Sequence, residues 1–447
     1  MGDIKSFPKI LMLRQSFPND RITDLEHEVR LAVEACIQQA PLHPGAKVAI
    51  TVGSRGIRHI TDMLRYTIQV LKSYGYEPYL ISAMGSHGGG KRSGQAAILD
   101  SLGITEAAMD APVIASDDTL LLGVTSKNHV APAYAELCKI EQLQVYVARE
   151  AIEADAVLVM NRIKPHTAFH GDYESGLMKM LAVGLGRAPG ADSVHRLGAN
   201  LLADAIPSIA AYILSHAPIW GGLAIVENGY DEPVHIQGMP APLIPQVEKE
   251  LLLMAKSLMP AIPITGIDLC LIGEMGKNFS GTGVDTNVIG RMKINGVPEP
   301  AEPGIRYLGI LGISEPSHGN ATGIGLADFT TQRVVEEIDW QATYLNCLTS
   351  GFTARAATPI IAKSDIDLVE KAIFALKTED LQQLRLVILR NTLQLDELWV
   401  TESLFEELRD REEITAVGDP FPLEFDSEGS LMLFAPPSPS GEKEETH

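Results

Sequence analysis

Apolar residues in the first half of the chain switch repeatedly between short solid runs and helical spacing. Residues 47–52 (KVAITV) form one such run and end in the turn Gly53-Ser54-Arg55-Gly56. A short apolar run bounded by turn residues predicts a buried strand. Helical spacing over 59–74 follows, then a second strand over 77–84 (EPYLISAM) that ends at GSHGGG, then a helix over 93–102. Further strands are expected at 112–115, 144–147 and 156–160 (AVLVM). Strands separated by helices predict a parallel sheet covered on both faces, with ligands bound beyond the carboxyl ends of the strands. Arg55, His87 and the loop 161–170 each follow a strand, so all three are expected on one rim.

The pattern breaks at 259–266 (MPAIPITG), where two prolines and a glycine separate apolar runs. A domain junction is placed there. A second α/β stretch follows, with strands at 267–275 and 306–313, Gly-rich loops at 276–285 and 318–327, and helices at 329–338 and 365–376. The expected architecture is therefore α/β: two domains with mainly parallel sheets, residues 1–262 and 263–432, and an active site in the cleft between them. The Pro/Ser-rich, charged end, 433–447, predicts a disordered tail.

Composition narrows the function. The 447 residues carry a formal charge of −21 and no basic run of the kind that tracks a phosphate backbone, which argues against nucleic-acid binding. A small anionic ligand would need local positive groups. Cys36, Cys138, Cys270 and Cys347 are far apart, with no CxxC pair, and suit a reducing compartment. With no signal-peptide core near the start and no apolar run of membrane-spanning length, the expected location is the cytoplasm.

The densest chemistry runs from Lys164 to Arg196 (KPHTAFHGDYESGLMKMLAVGLGRAPGADSVHR). Lys179 stands among Leu177, Met178, Met180 and Leu181. Burial there favours a neutral, nucleophilic amine, although the same spacing also suits a core helix with the lysine reaching outward. His195 lies sixteen residues later, a separation that a loop–helix–loop can fold onto one centre.

Other segments add candidates. Gly85 to Lys91 nearly matches a phosphate-binding P-loop, but Arg92 stands where Ser or Thr would hold magnesium. The glycines instead suggest bare backbone beside His87. Arg55, at a strand end, can bind a carboxylate through two parallel hydrogen bonds. Glu274 and Lys277, opening the loop after strand 267–275, could close the site from the second domain or form an exposed ion pair. Neither HExxH nor GxSxG occurs, which weakens hydrolase readings.

In order along the chain, Ser54-Arg55, Gly85-Ser86-His87, a histidine loop, Ser175-Gly176-x-x-Lys179, His195, and Glu274 three before Lys277 resemble the nickel-dependent lactate racemase-like family of 2-hydroxyacid racemases and epimerases. That resemblance implies an isomerase in which Lys179 carries a nickel-pincer nucleotide covalently, with Ser175, Gly176 and Glu274 around it. His195 would ligate the nickel. It further implies that His87 and His166 form the acid/base pair and that Arg55 and Lys277 hold the substrate carboxylate. His170 is the alternative to His166; Pro165 favours the latter by fixing the backbone before it. Cofactor-synthesis proteins would be needed for loading.

The chain departs from the family pattern near the substrate end, with Val52 before the arginine and Gly88-Gly89-Gly90 after His87. Smaller groups there suit a longer sugar acid, an aldonate, rather than lactate. Two other functions remain open on the residues alone. One is an NAD-type dehydrogenase, disfavoured because no GxGxxG follows the first strand. The other is a non-catalytic binding or carrier protein for a nickel or nucleotide cofactor or a small anion.

Overall fold

The computed structural model describes residues 7–378 and 380–434, and these form two compact α/β units. One unit is Pro18–Met259; the other joins the residues through Phe17 to those from Pro260 onward. The division falls within the Pro/Gly-rich segment expected as a junction. The first strand, Lys9–Gln15, nevertheless belongs with the C-terminal residues, so the N-terminal unit does not begin at residue 1. Apart from residues 433 and 434, the tail expected at 433–447 lies outside the described residues.

The Pro18–Met259 unit is built on a six-stranded sheet in the order Val113–Ile114, Glu77–Ser82, Lys47–Val52, Ala156–Arg162, Ile219–Glu227, Pro233–Pro240. The first five run parallel and the last pairs antiparallel. Alternate residues of each strand face opposite layers, as the pleat requires. Val48, Ile50, Leu158 and Met160 pack against Val29 and Val33 of helix Leu25–Gln39 and Met63, Leu64 and Ile68 of helix Ile60–Ser73. Ala49, Val157 and Val159 face the other layer, with Leu177, Leu181 and the helices Ala199–His216 and Ile244–Ser257.

From Lys47–Val52 the chain adds two strands on one side, then crosses to place Ala156–Arg162 on the other. The strand order therefore reverses between Lys47–Val52 and Ala156–Arg162, and such a switch point leaves a crevice at the carboxyl edge. The strand expected at 144–147 is present as Gln144–Ala148, but it pairs antiparallel with Thr119–Val124 in a separate hairpin. Its apolar run reads like a central strand because it is buried under helix Ala199–His216, not because it joins the sheet.

The other unit has an eight-stranded sheet ordered Ile360–Ala362, Phe329–Thr331, Ile305–Ile310, Ile267–Ile272, Leu386–Leu389, Glu397–Thr401, Lys9–Gln15, Ile414–Pro422. Five strands are parallel and the last three antiparallel. Helix Asp365–Leu376 matches its expected span. The helix expected over 329–338 divides into strand Phe329–Thr331 and helix Gln332–Glu337, with Thr331 capping the helix through its side chain. No helix among the described residues is long and apolar enough to cross a membrane.

Candidate active site

At the switch point of the Pro18–Met259 sheet, three strand ends and one irregular helix surround a cavity of about 150 Å³. Its lining includes Ser54 and Arg55 after strand Lys47–Val52, Gly85 and His87 after strand Glu77–Ser82, and, from strand Ala156–Arg162, its last residues Asn161 and Arg162 with Lys164 just beyond. Ser175, Lys179 and Met180 complete it from the following segment. Every lining residue belongs to this one unit.

The segment carrying Lys179 and His195 is mostly helical instead of the expected loop–helix–loop. One turn, Leu177–Lys179, widens into a π-type turn over Met180–Gly184 before helix Arg187–His195 resumes. The Leu185 amide donates to the Met180 carbonyl five residues back at 2.8 Å. Inserted turns of this kind recur at functional sites because they re-aim a side chain. Here the wide turn docks on the sheet edge: the Gly85 amide donates to the Gly184 carbonyl at 3.2 Å. A side chain at Gly184 would approach the Ala83 carbonyl to 2.8 Å, so glycine permits the contact.

Lys179 sits in this cavity, and burial, reinforced by Arg55 and Lys164, draws its amine down from 10.5 to about 7. It is therefore substantially neutral near pH 7, as the apolar neighbours in sequence suggested. His87, on the Gly-rich turn, is held below the ordinary imidazole value by burial and by Arg55, Lys179 and His195. Ser54 Oγ makes a hydrogen bond with its Nδ1. His195 ends its helix, and shielding together with Lys179 lowers its pKa as well.

His166 is close enough to Lys179, Arg55 and His195 for their charges to matter; burial is the first cause of a pKa well below the usual value. Thus Arg55, His87, His166, Lys179 and His195 come together. Arg58 and His59 turn away: the Arg58 guanidinium lies 3.1 Å and His59 3.5 Å from Glu232.

Gly176 does not line the cavity. Its bare Cα admits the carboxyl of Glu248, whose Oε1 would lie 2.4 Å from a Cβ there. Glu248 Oε2 accepts from the Met178 amide at 2.8 Å and so caps the turn that carries Lys179. Burial pushes Glu248 up to about 8. Glu274 and Lys277 belong to the other unit, after its strand Ile267–Ile272; there Lys277 Nζ donates to the Gly281 carbonyl at 2.8 Å and to Asn346 at 3.0 Å.

Glu174 is the residue that sequence reasoning missed. It is fully buried, and its carboxylate accepts from the His166 amide at 2.7 Å and the Gly171 amide at 3.3 Å. It also meets His170 Nδ1 at 3.2 Å and Lys256 Nζ at 2.7 Å. Burial alone would raise its pKa, but the bonds from His170, Lys256 and the His166 amide hold it below the ordinary value. His170 is thereby tied to the loop's anchor. The signal available in sequence was only the four-residue spacing from His170 to Glu174.

No protein-family model and no curated protein sequence matches this chain. Among solved structures, the lactate racemase apoprotein from Thermoanaerobacterium thermosaccharolyticum is similar to it, with a TM-score of 0.50 and 12% sequence identity. The likeness covers 86% of this chain and 98% of that one. It is a likeness of fold.

Proposed function

We propose that this protein is an isomerase that inverts C2 of a small 2-hydroxy acid, using a nickel-pincer nucleotide held on Lys179. The observation that carries the reading is a lysine, its amine drawn down to about 7, in a cavity that also holds Arg55 and His87 at a sheet switch point, with His166 close by. The fold likeness to a lactate racemase apoprotein supports it.

The side chains suit such a group. A neutral buried amine is the form that makes a covalent link. By the family resemblance, His195, whose charge environment includes Lys179, would be the residue that ligates the nickel. Imidazole is a suitable ligand for nickel. When bound, the group supplies a reversible acceptor for the hydrogen on C2.

The protein's own residues do the rest. Arg55 binds the substrate carboxylate and fixes C2 over Lys179. His87 and His166 serve the substrate hydroxyl, whose proton must leave as C2 becomes planar and return when it is rebuilt. Ser175 borders the linkage and Gly176 admits the cap on its turn. An aldonate, longer than lactate, is the substrate class favoured by the Gly88-Gly89-Gly90 run after His87, although Gly88 and Gly90 themselves pack against Gly94 and Ala188 and do not line the cavity.

The test is turnover of single enantiomers or epimers of 2-hydroxy acids by protein co-produced with cofactor-synthesis proteins. Inversion at C2 that requires Lys179 and Arg55 is expected. A loaded protein that inverts no 2-hydroxy acid, lactate and aldonates included, would overturn the reading; turnover of lactate alone would remove the aldonate preference.

A further inference from the structure

His87 and His166 are held by partners of different kinds. Ser54 Oγ meets His87 Nδ1, and a hydroxyl can donate or accept. His87 can therefore carry its proton on either nitrogen, or on both, without losing this bond. With Nδ1–H donated to Ser54, Nε2 has a lone pair for an incoming proton. His166 has no such freedom. Its Nδ1 accepts the Ala168 amide at 3.0 Å, and an amide N–H can only donate.

A proton on His166 Nδ1 would face that amide hydrogen. The neutral ring is thus fixed with its hydrogen on Nε2, where it can donate a hydrogen bond but has no lone pair to receive a proton. The surroundings enforce this arrangement. Glu174 clamps the His166 amide at 2.7 Å, and Phe169 lies against the ring with centroids 4.4 Å apart.

We propose that the two histidines have unequal roles: His87, with Ser54 as its positioning residue, exchanges the proton with the substrate hydroxyl, and His166 is a fixed Nε2–H hydrogen-bond donor. The proposal rests on the 2-hydroxyacid reading of the site. In the step assigned to His87, the substrate O–H bond breaks and an N–H bond forms at Nε2; Nδ1–H stays donated to Ser54 Oγ. His166 holds the substrate oxygen without changing its own protonation.

The test is ¹⁵N NMR of the unloaded protein labelled at the histidine ring nitrogens, at one pH near 7.5, with H87Q and H166Q used for assignment. His166 is expected as a single species protonated only on Nε2, unchanged by S54A. His87 is expected as a tautomer mixture that S54A shifts. A proton on His166 Nδ1, an averaged His166 pair, or a His87 signal indifferent to S54A would overturn the proposal.

In the loaded enzyme, glutamine places an N–H near the position of Nε2, so H166Q should keep turnover within about tenfold. H87Q should lose roughly 10²–10⁴-fold, the usual contribution of a proton-transferring group. Equal losses would overturn the unequal roles even with the expected NMR signals. Absence of turnover in the loaded wild type would instead sink the 2-hydroxyacid reading, leaving the tautomers to be judged by NMR alone.

Discussion

Lys179 is where sequence and chemistry meet most directly, and its burial has a measurable consequence for stability. Its folded pKa is depressed from 10.5 to about 7. Below pH 7 both folded and unfolded chains carry the proton, and the full cost of burying the charge is present. Above about 10.5 both are neutral and the cost is gone. Between those limits stability should rise with pH, by at most about 1.4 kcal/mol per pH unit from this group. Lys179→Met should therefore be more stable than wild type at pH 7, with a gap that closes towards pH 10 in denaturant titrations. A gap independent of pH would show that Lys179 is not desolvated. Arg55→Ala should weaken binding of a small 2-hydroxy acid by roughly ten- to a hundredfold, the worth of a charge-assisted hydrogen bond, as calorimetric titration would read.

At the scale of elements, the loop from Lys164 to Ser175 depends on one carboxylate. Glu174→Ala would strand two amide donors, His170 and Lys256, and should cost roughly 1–3 kcal/mol. Hydrogen exchange should quicken first at the His166 and Gly171 amides; unchanged protection there would contradict the anchoring role. The turn after His87 has a comparable dependence on glycine. Gly88 has φ of +65°, and a Cβ would come within 2.5 Å of the Gly94 carbonyl carbon. Gly88→Ala should lower stability by at least about 1 kcal/mol and displace His87; a variant with unchanged melting temperature would contradict this.

These elements also show what a sequence makes legible. Strands 47–52 and 156–160 and helix 365–376 were readable because their apolar period matches the face they bury. The gathering of Arg55, His87 and the histidine loop followed from strand ends alone. The π-type turn was not readable, since its cause is the docking of Gly184 on Ala83 and Gly85, a tertiary contact. Glu174 was hidden for the same reason: an acidic residue in a polar loop looks solvated until Lys256, 82 residues away by the numbering and on another element, is seen against it.

For the whole molecule, the placement of Lys9–Gln15 has a clear consequence. The strand lies between Glu397–Thr401 and Ile414–Pro422, with Ile10, Leu11 and Leu13 buried. Removing residues 1–15 should expose those two neighbours to hydrogen exchange while strands Lys47–Val52 and Ala156–Arg162 keep their protection. Equal loss in both sheets would contradict the division of the chain. The −21 charge also sets the context for the site: an anion must be recruited locally, and Arg55 and Lys164 provide positive charge at the cavity.

The central claim is that this cavity exists to hold a nucleotide on Lys179. Peptide mass spectrometry with nickel analysis, on protein co-produced with a cofactor-synthesis pathway, tests it most directly. The account predicts a mass increase on the Lys179 peptide together with bound nickel, and loss of both in Lys179→Arg. An unmodified Lys179 peptide and no nickel, under conditions in which a lactate racemase loads, would contradict it and leave a non-catalytic small-anion binding protein as the reading to pursue.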